Sequence, residues 1–156
     1  MSRKYKFHNP DSAYFITFAV VGWINVFTRN VYRNIFVDSL NYCVKNKGLE
    51  IYAWCLMSNH VHMVSRAIGK TSLSDILRDM KKFTSKELVN SIISNPSESR
   101  KEWMLNVFRT NGEQTSNVKN YQFWRHDNKP IEVWSNKIIS RKINNIHNNP
   151  VKKDWS

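Results

Sequence analysis

The run Asn59 to His62 reads Asn-His-Val-His. In an extended strand, residues two apart point to the same side, so His60 and His62 present two imidazoles together while Val61 and Met63 face the other way. Two neutral imidazoles at that spacing can share one divalent metal ion. Taken alone, such a pair more often decorates a solvent face. This one directly follows the apolar Cys55-Leu56-Met57 and the turn-forming Ser58-Asn59, in a strongly basic chain. A second group of residues suits phosphates and bases. Arg78, Lys81, Lys82 and Lys86 lie on the polar side of a helical stretch, and Tyr121 to His126, YQFWRH, sets aromatic rings beside Arg125 and His126. Charge neutralisation combined with flat stacking surfaces is what a single-strand groove requires. These four α-helical cations, with Arg125 and His126, are therefore the candidate DNA contacts. Phe123, Trp124 and Trp134 are expected to pack in the core instead, and a lone histidine such as His126 is more commonly a surface or packing residue.

Positioning these groups takes a scaffold, and the sequence outlines one. Ala13 to Val21 is β-branched and aromatic and predicts a first strand. Asn30 can cap a helix over about 31–46, carrying Ile35, Leu40 and Val44 at helical spacing and stopped by Gly48. Residues 50–57 and 61–65 predict two further strands joined tightly through Ser58 and Asn59. The longest helical pattern covers 72–93, with Leu73, Ile76, Leu77, Met80, Phe83, Leu88 and Ile92 along one stripe. Residues 95–120 turn polar and predict a surface insertion containing a short helix around Trp103 to Phe108. Short strand-like pieces follow at 121–124 and 131–134, and a last helix over about 136–148 is ended by Pro150. The order strand, helix, strand, strand, helix, strand predicts an α+β fold, a ferredoxin-like antiparallel sheet with helices packed on one face. The last strand is its least determined part.

Composition bounds the setting. A chain of 156 residues with 41% hydrophobic and 13% aromatic content predicts one domain spanning 1–156 with a real core. Lys and Arg total 24 against 12 Asp and Glu, a net charge of +12, the footprint of a protein that meets phosphates. Cys43 and Cys55 form no CxxC or Cys/His framework and are expected as buried thiols in a reducing compartment. With no signal-like start and no membrane-length apolar run, the sequence predicts a cytoplasmic protein without a membrane partner.

Two segments, Trp54 to Val64 (WCLMSNHVHMV) and Ile146 to Lys152 (IHNNPVK), resemble those of the single-tyrosine HUH transposases, in the IS200-like branch associated with short repetitive palindromes. The likeness extends to the opening strand and to KKFTSKEL, Lys81 to Leu88. It implies binding of single-stranded or hairpin DNA, and cleavage and rejoining through a 5′-phosphotyrosine intermediate assisted by Mg²⁺ or Mn²⁺. It also implies that the last helix supplies a polar third metal ligand one turn beyond the nucleophile, at Asn149, beside His60 and His62. Relatives include dimers and monomers, so a homodimer and a monomer both stay open.

The sequence departs from that pattern at the residue that should attack. Asn145 stands directly before IHNNPV, where the family has its tyrosine, and an amide has no ionisable hydroxyl for transesterification. Tyr121 is far upstream. An inactive or domesticated copy, an engineered trap and a shifted nucleophile all account for this. The first is the expected one, since a trap would more usually carry phenylalanine and the chain stops at Ser156, where relatives generally continue. His147 lies off the face that Asn145 and Asn149 would share and is expected to be structural or a DNA contact. A hydrolytic metalloenzyme using water is a third function class, disfavoured because no Asp or Glu lies near the pair in sequence.

Overall fold

The computed structural model of the chain describes residues 6–113 and 121–133, with the single positions 141 and 144. The elements run β1 (Ala13–Ala19), α1 (Asn30–Asn46), β2 (Leu49–Leu56), β3 (His60–Ala67), α2 (Leu73–Ser94), α3 (Lys101–Glu113) and β4 (Ile131–Val133), with two single 3-10 turns between β1 and α1. The strands form an antiparallel sheet in the order β2-β3-β1-β4. This is the ferredoxin-like α+β arrangement that the element order predicts. Of the helix expected over 136–148 only Arg141 and Asn144 are described, both helical, and Trp134 lies outside the described residues.

The sheet's two faces diverge because strand side chains alternate. Tyr14, Ile16 and Phe18 of β1 and Val61 and Met63 of β3 join the main core with Phe36 and Leu40 of α1 and Ile76, Leu77, Met80 and Leu88 of α2. Each such side chain, fully buried, contributes about 1.5–3 kcal/mol. On the other face Ala13, Ala53, Cys55, Val64 and Val133 make a small separate cluster with Phe15 and Met57 at its edge. His60 and His62 belong to that second face. Both cysteines are buried, and no disulfide joins them.

Local details differ from the sequence reading where tertiary contacts intervene. Asn30 is the first residue of α1, not its cap; the extended residue before the helix is Arg29, which makes no side-chain cap. Arg29 is drawn away to Glu98 (2.9 Å), and Asn30 Oδ1 accepts from Arg33 (3.4 Å). Gly48 stops α1 as expected: its φ is +74°, and a Cβ there would lie 2.8 Å from the Gly69 backbone nitrogen. The segment 121–124 is no strand of its own, since only Trp124 bridges to Val20. Phe123 and Trp124 are both buried. Of the stretch expected as a surface insertion over 95–120, the described part to Glu113 is not simply surface-lying, because Met104 and Phe108 of α3 enter the main core. Its polar composition conceals two anchors one helical turn apart.

The connection from α2 to α3 is tied down by a buried carboxylate. Glu98 accepts from Arg29 (2.9 Å), Tyr32 (2.9 Å), the Arg100 guanidinium (3.0 Å) and the Arg100 backbone N–H (3.1 Å). Burial alone would raise its pKa, but these donors outweigh burial and hold it down at about 2. Among the described residues, no helix is long and apolar enough to cross a membrane.

Candidate metal and nucleic-acid site

The turn that delivers the histidines is pinned from below. Met57 donates to the His60 carbonyl (2.8 Å), closing Ser58-Asn59 as a two-residue turn, and the Ser58 and Asn59 carbonyls accept from Phe27 and Val20 (2.9 Å each). Ser58 Oγ donates to Asn25 Oδ1 (2.9 Å). β3 therefore begins at His60 with little freedom. His62 sits opposite Thr17 of β1 and Cys55 of β2, its ring stacked on Phe15 with centroids 5.6 Å apart.

The two imidazoles meet at their Nε2 atoms, 3.1 Å apart. Hydrogen bonds around them assign the proton positions. Asn59 Nδ2 donates to the Trp23 carbonyl (3.2 Å), so Asn59 Oδ1 is the atom turned to His60 Nδ1 (2.7 Å). His60 Nδ1 must then be the donor, and its Nε2 carries a lone pair. His62 Nδ1 pairs with Thr17 Oγ1 (3.0 Å), a hydroxyl able to donate or accept. Burial lowers the pKa of His60; burial and then the neighbouring His60 lower that of His62 to about 4. Both rings are accordingly neutral at pH 7, the metal-competent form, and each has an outer hydrogen-bond partner on Nδ1, as metal-binding histidines usually do.

This donor set fits a divalent ion. Two Nε2 atoms 3.1 Å apart are close to the edge of about 3.0 Å between adjacent ligands of an octahedral ion at about 2.1 Å. Among the described residues, no group of three or more His, Cys, Asp or Glu could hold a metal. Asn149, the expected third ligand, Asn145 and His147 lie outside the described residues.

The expected DNA contacts separate. Arg125 and His126 are exposed, and the Arg125 guanidinium lies over the Trp23 ring at 5.7 Å, which in turn meets the His60 ring edge-on at 6.3 Å. Trp23 thus links Arg125 to the histidine pair. Lys81 does not stand free: its Nζ donates to the Arg125 carbonyl (2.6 Å) and Asn128 Oδ1 (2.9 Å) and lies over Phe18. Burial brings its pKa down to about 8. It braces the loop that bears Arg125 rather than facing solvent. Arg78, Lys82 and Lys86 are exposed on α2, the helix packed on the opposite side of the sheet from the histidines. Arg78 is paired with Asp75 (3.0 Å) and Asp79 (3.2 Å). Phe123 and Trp124 pack in the core as expected, Trp124 Nε1 donating to Thr84 (2.9 Å).

Residues 12–122 match the family of IS200-like transposases. The chain belongs to that family. The matched span of this transposase-family chain includes β1, the histidine pair and α2. Among solved structures it is similar to a REP-associated tyrosine transposase described as bound to a REP hairpin, at 16% identity and a TM-score of 0.65, covering 100% of this chain and 76% of that one. It is also similar to a putative transposase from Deinococcus radiodurans R1, at 14% identity and a TM-score of 0.51, covering 94% and 97%. Both likenesses concern the fold. No protein with a curated description matches.

Sequence reasoning missed Thr17, Asn59 and Trp23 as parts of the site. Asn59 could have been found from its place beside His60. Thr17 could not, because its role depends on the β1–β3 register, and nothing local marks Trp23 as outward-facing.

Proposed function

We propose that this transposase-family chain binds single-stranded or hairpin DNA on the sheet face bearing His60 and His62, with Mg²⁺ or Mn²⁺ held there, and that as encoded it holds DNA without cutting it. The observation that carries this reading is the pair of neutral imidazoles whose Nε2 atoms converge at 3.1 Å, beside an exposed indole and guanidinium in a chain of net charge +12. The REP hairpin described with the similar solved transposase supports hairpin DNA as the ligand.

In this reading His60 and His62 hold the ion, with Asn149 as third ligand and positions left for phosphate and water. A divalent ion so held would polarise a phosphate oxygen and offset its charge. Asn59 keeps His60 Nε2 deprotonated, and Thr17 accommodates either tautomer of His62. Arg125 and Trp23 meet the strand beside the pair. The step that needs a hydroxyl is missing, because Asn145 occupies the place where the family's attacking tyrosine would stand and its amide cannot form a phosphodiester with the protein. That residue favours a silent DNA-binding protein over a working strand transferase.

Incubation of end-labelled hairpin DNA with the protein and Mn²⁺ or Mg²⁺ tests this. The reading expects a salt-dependent complex and no band surviving denaturation as a covalent adduct. An adduct would sink the silent reading, and no complex even at low salt would sink DNA binding altogether.

A further inference from the structure

Trp23 is held in a costly position. Its φ is +54°, the left-handed region that a bulky side chain rarely adopts, yet the residue is 52% exposed, so core packing does not explain it. Three contacts maintain it. Gly22 before it has φ +65°, and a Cβ there would press to 3.0 Å from Val107 Cγ1. Trp23 N–H donates to the Val20 carbonyl (3.1 Å) and its own carbonyl accepts from Asn59 (3.2 Å). The backbone thus turns the indole outward, edge-on to His60 and under the Arg125 guanidinium. Arg125 is fixed in the same manner, its N–H donating to the Ala19 carbonyl (2.8 Å) and its carbonyl accepting from Lys81 (2.6 Å). Its side chain stays half exposed, with a long 3.8 Å contact to Asp127. A recess of about 390 Å³ lined by Gly22, Asn111, Gln122, Arg125 and His126 opens alongside.

We infer that Trp23 and Arg125 form a subsite for one unpaired nucleotide adjoining the phosphate at the histidine pair, the base stacking on the indole and the guanidinium meeting the nucleotide's phosphate. Backbone strain is retained where the surroundings hold it and function uses it, and an aromatic face beside a cation is the pairing that binds unpaired bases regardless of sequence. The inference rests on the DNA-binding reading above.

The test measures binding of two labelled hairpins, one with a short single-stranded extension and one blunt, to the full chain and to Trp23→Gly and Trp23→Phe. Glycine accepts the left-handed backbone, so Trp23→Gly should keep its melting temperature within a few degrees while losing the stack. Its affinity for the extended hairpin should fall about 5- to 150-fold, the range of a single base–aromatic stack, with the blunt hairpin unchanged and Trp23→Phe retaining most of the binding. Undiminished affinity of Trp23→Gly for the extended hairpin, or an equal loss on both, overturns the subsite alone. Failure of the unaltered chain to bind either hairpin overturns the DNA reading and the subsite with it.

Discussion

The two faces of the sheet divide the work of the molecule. The helix-covered face carries the main core and, at its margin, the Glu98 cluster that ties α1 to the α2–α3 connection. The opposite face carries a small cluster, a pair of neutral histidines and an outward indole in a strained backbone. Polar groups drawn at least partly out of solvent are found on both, but they serve different ends. Glu98 is surrounded by donors that satisfy it, whereas His60 and His62 turn their Nε2 atoms toward one another. Full satisfaction favours stability, and convergent ring nitrogens favour a ligand.

That division can be broken by substitutions on each side. The largest expected effect is Asn145→Tyr, which should convert a chain forming no covalent complex into one that forms a 5′-phosphotyrosine adduct with hairpin DNA in Mn²⁺. The adduct should vanish when His60 is also changed to Ala; an adduct indifferent to His60 would separate the chemistry from this face.

On the helix-covered side, Glu98→Gln should destabilise by about 3–5 kcal/mol, since it removes one partner of a buried ionic cluster, while Mn²⁺ affinity stays unchanged. Acid should reveal the same cluster. Glu98 has its folded pKa near 2 against about 4.3 unfolded, so its stabilising contribution is present above about pH 4.3 and is lost as pH falls toward 2, amounting to about 3 kcal/mol. Denaturant melts of both proteins from pH 6 to pH 2 check this: the difference between them should shrink with acid, and a constant difference would contradict it.

Asn59→Leu returns to the histidine face. Losing the acceptor that fixes the His60 tautomer should weaken Mn²⁺ binding about 10- to 100-fold, with little change in melting temperature. The smallest contrast concerns charge. Arg125→Gln should reduce the slope of log affinity against log salt by about 0.7 for a short single-stranded oligonucleotide, whereas Lys82→Gln with Lys86→Gln should leave that slope unchanged because α2 lies on the other side of the sheet. Equal slopes for the two variants would show that the strand also reaches α2.

Much of this was legible in the residues. Period-two alternation placed His60 and His62 together with Val61 and Met63 facing the other way, and the helical stripe from Leu73 to Ile92 matches the buried side of α2 except at Phe83, which is exposed because it sits at the edge of that stripe. What escaped depended on distant partners. Lys81 looks like any exposed helical lysine, yet its long stem reaches a carbonyl 44 residues away. Thr17 joins His62 only through strand register. Trp23 is turned outward by a positive φ that propensity rules do not assign to tryptophan. The Met104 and Phe108 anchors were hidden by polar neighbours.

The central claim is that the histidine face holds a divalent ion. Calorimetric titration of Mn²⁺ into the unaltered chain and into the His60→Ala, His62→Ala double variant tests it most directly. The account predicts binding of about one ion per chain in the former and no measurable heat in the latter; a double variant that still takes up the ion with undiminished affinity would contradict it.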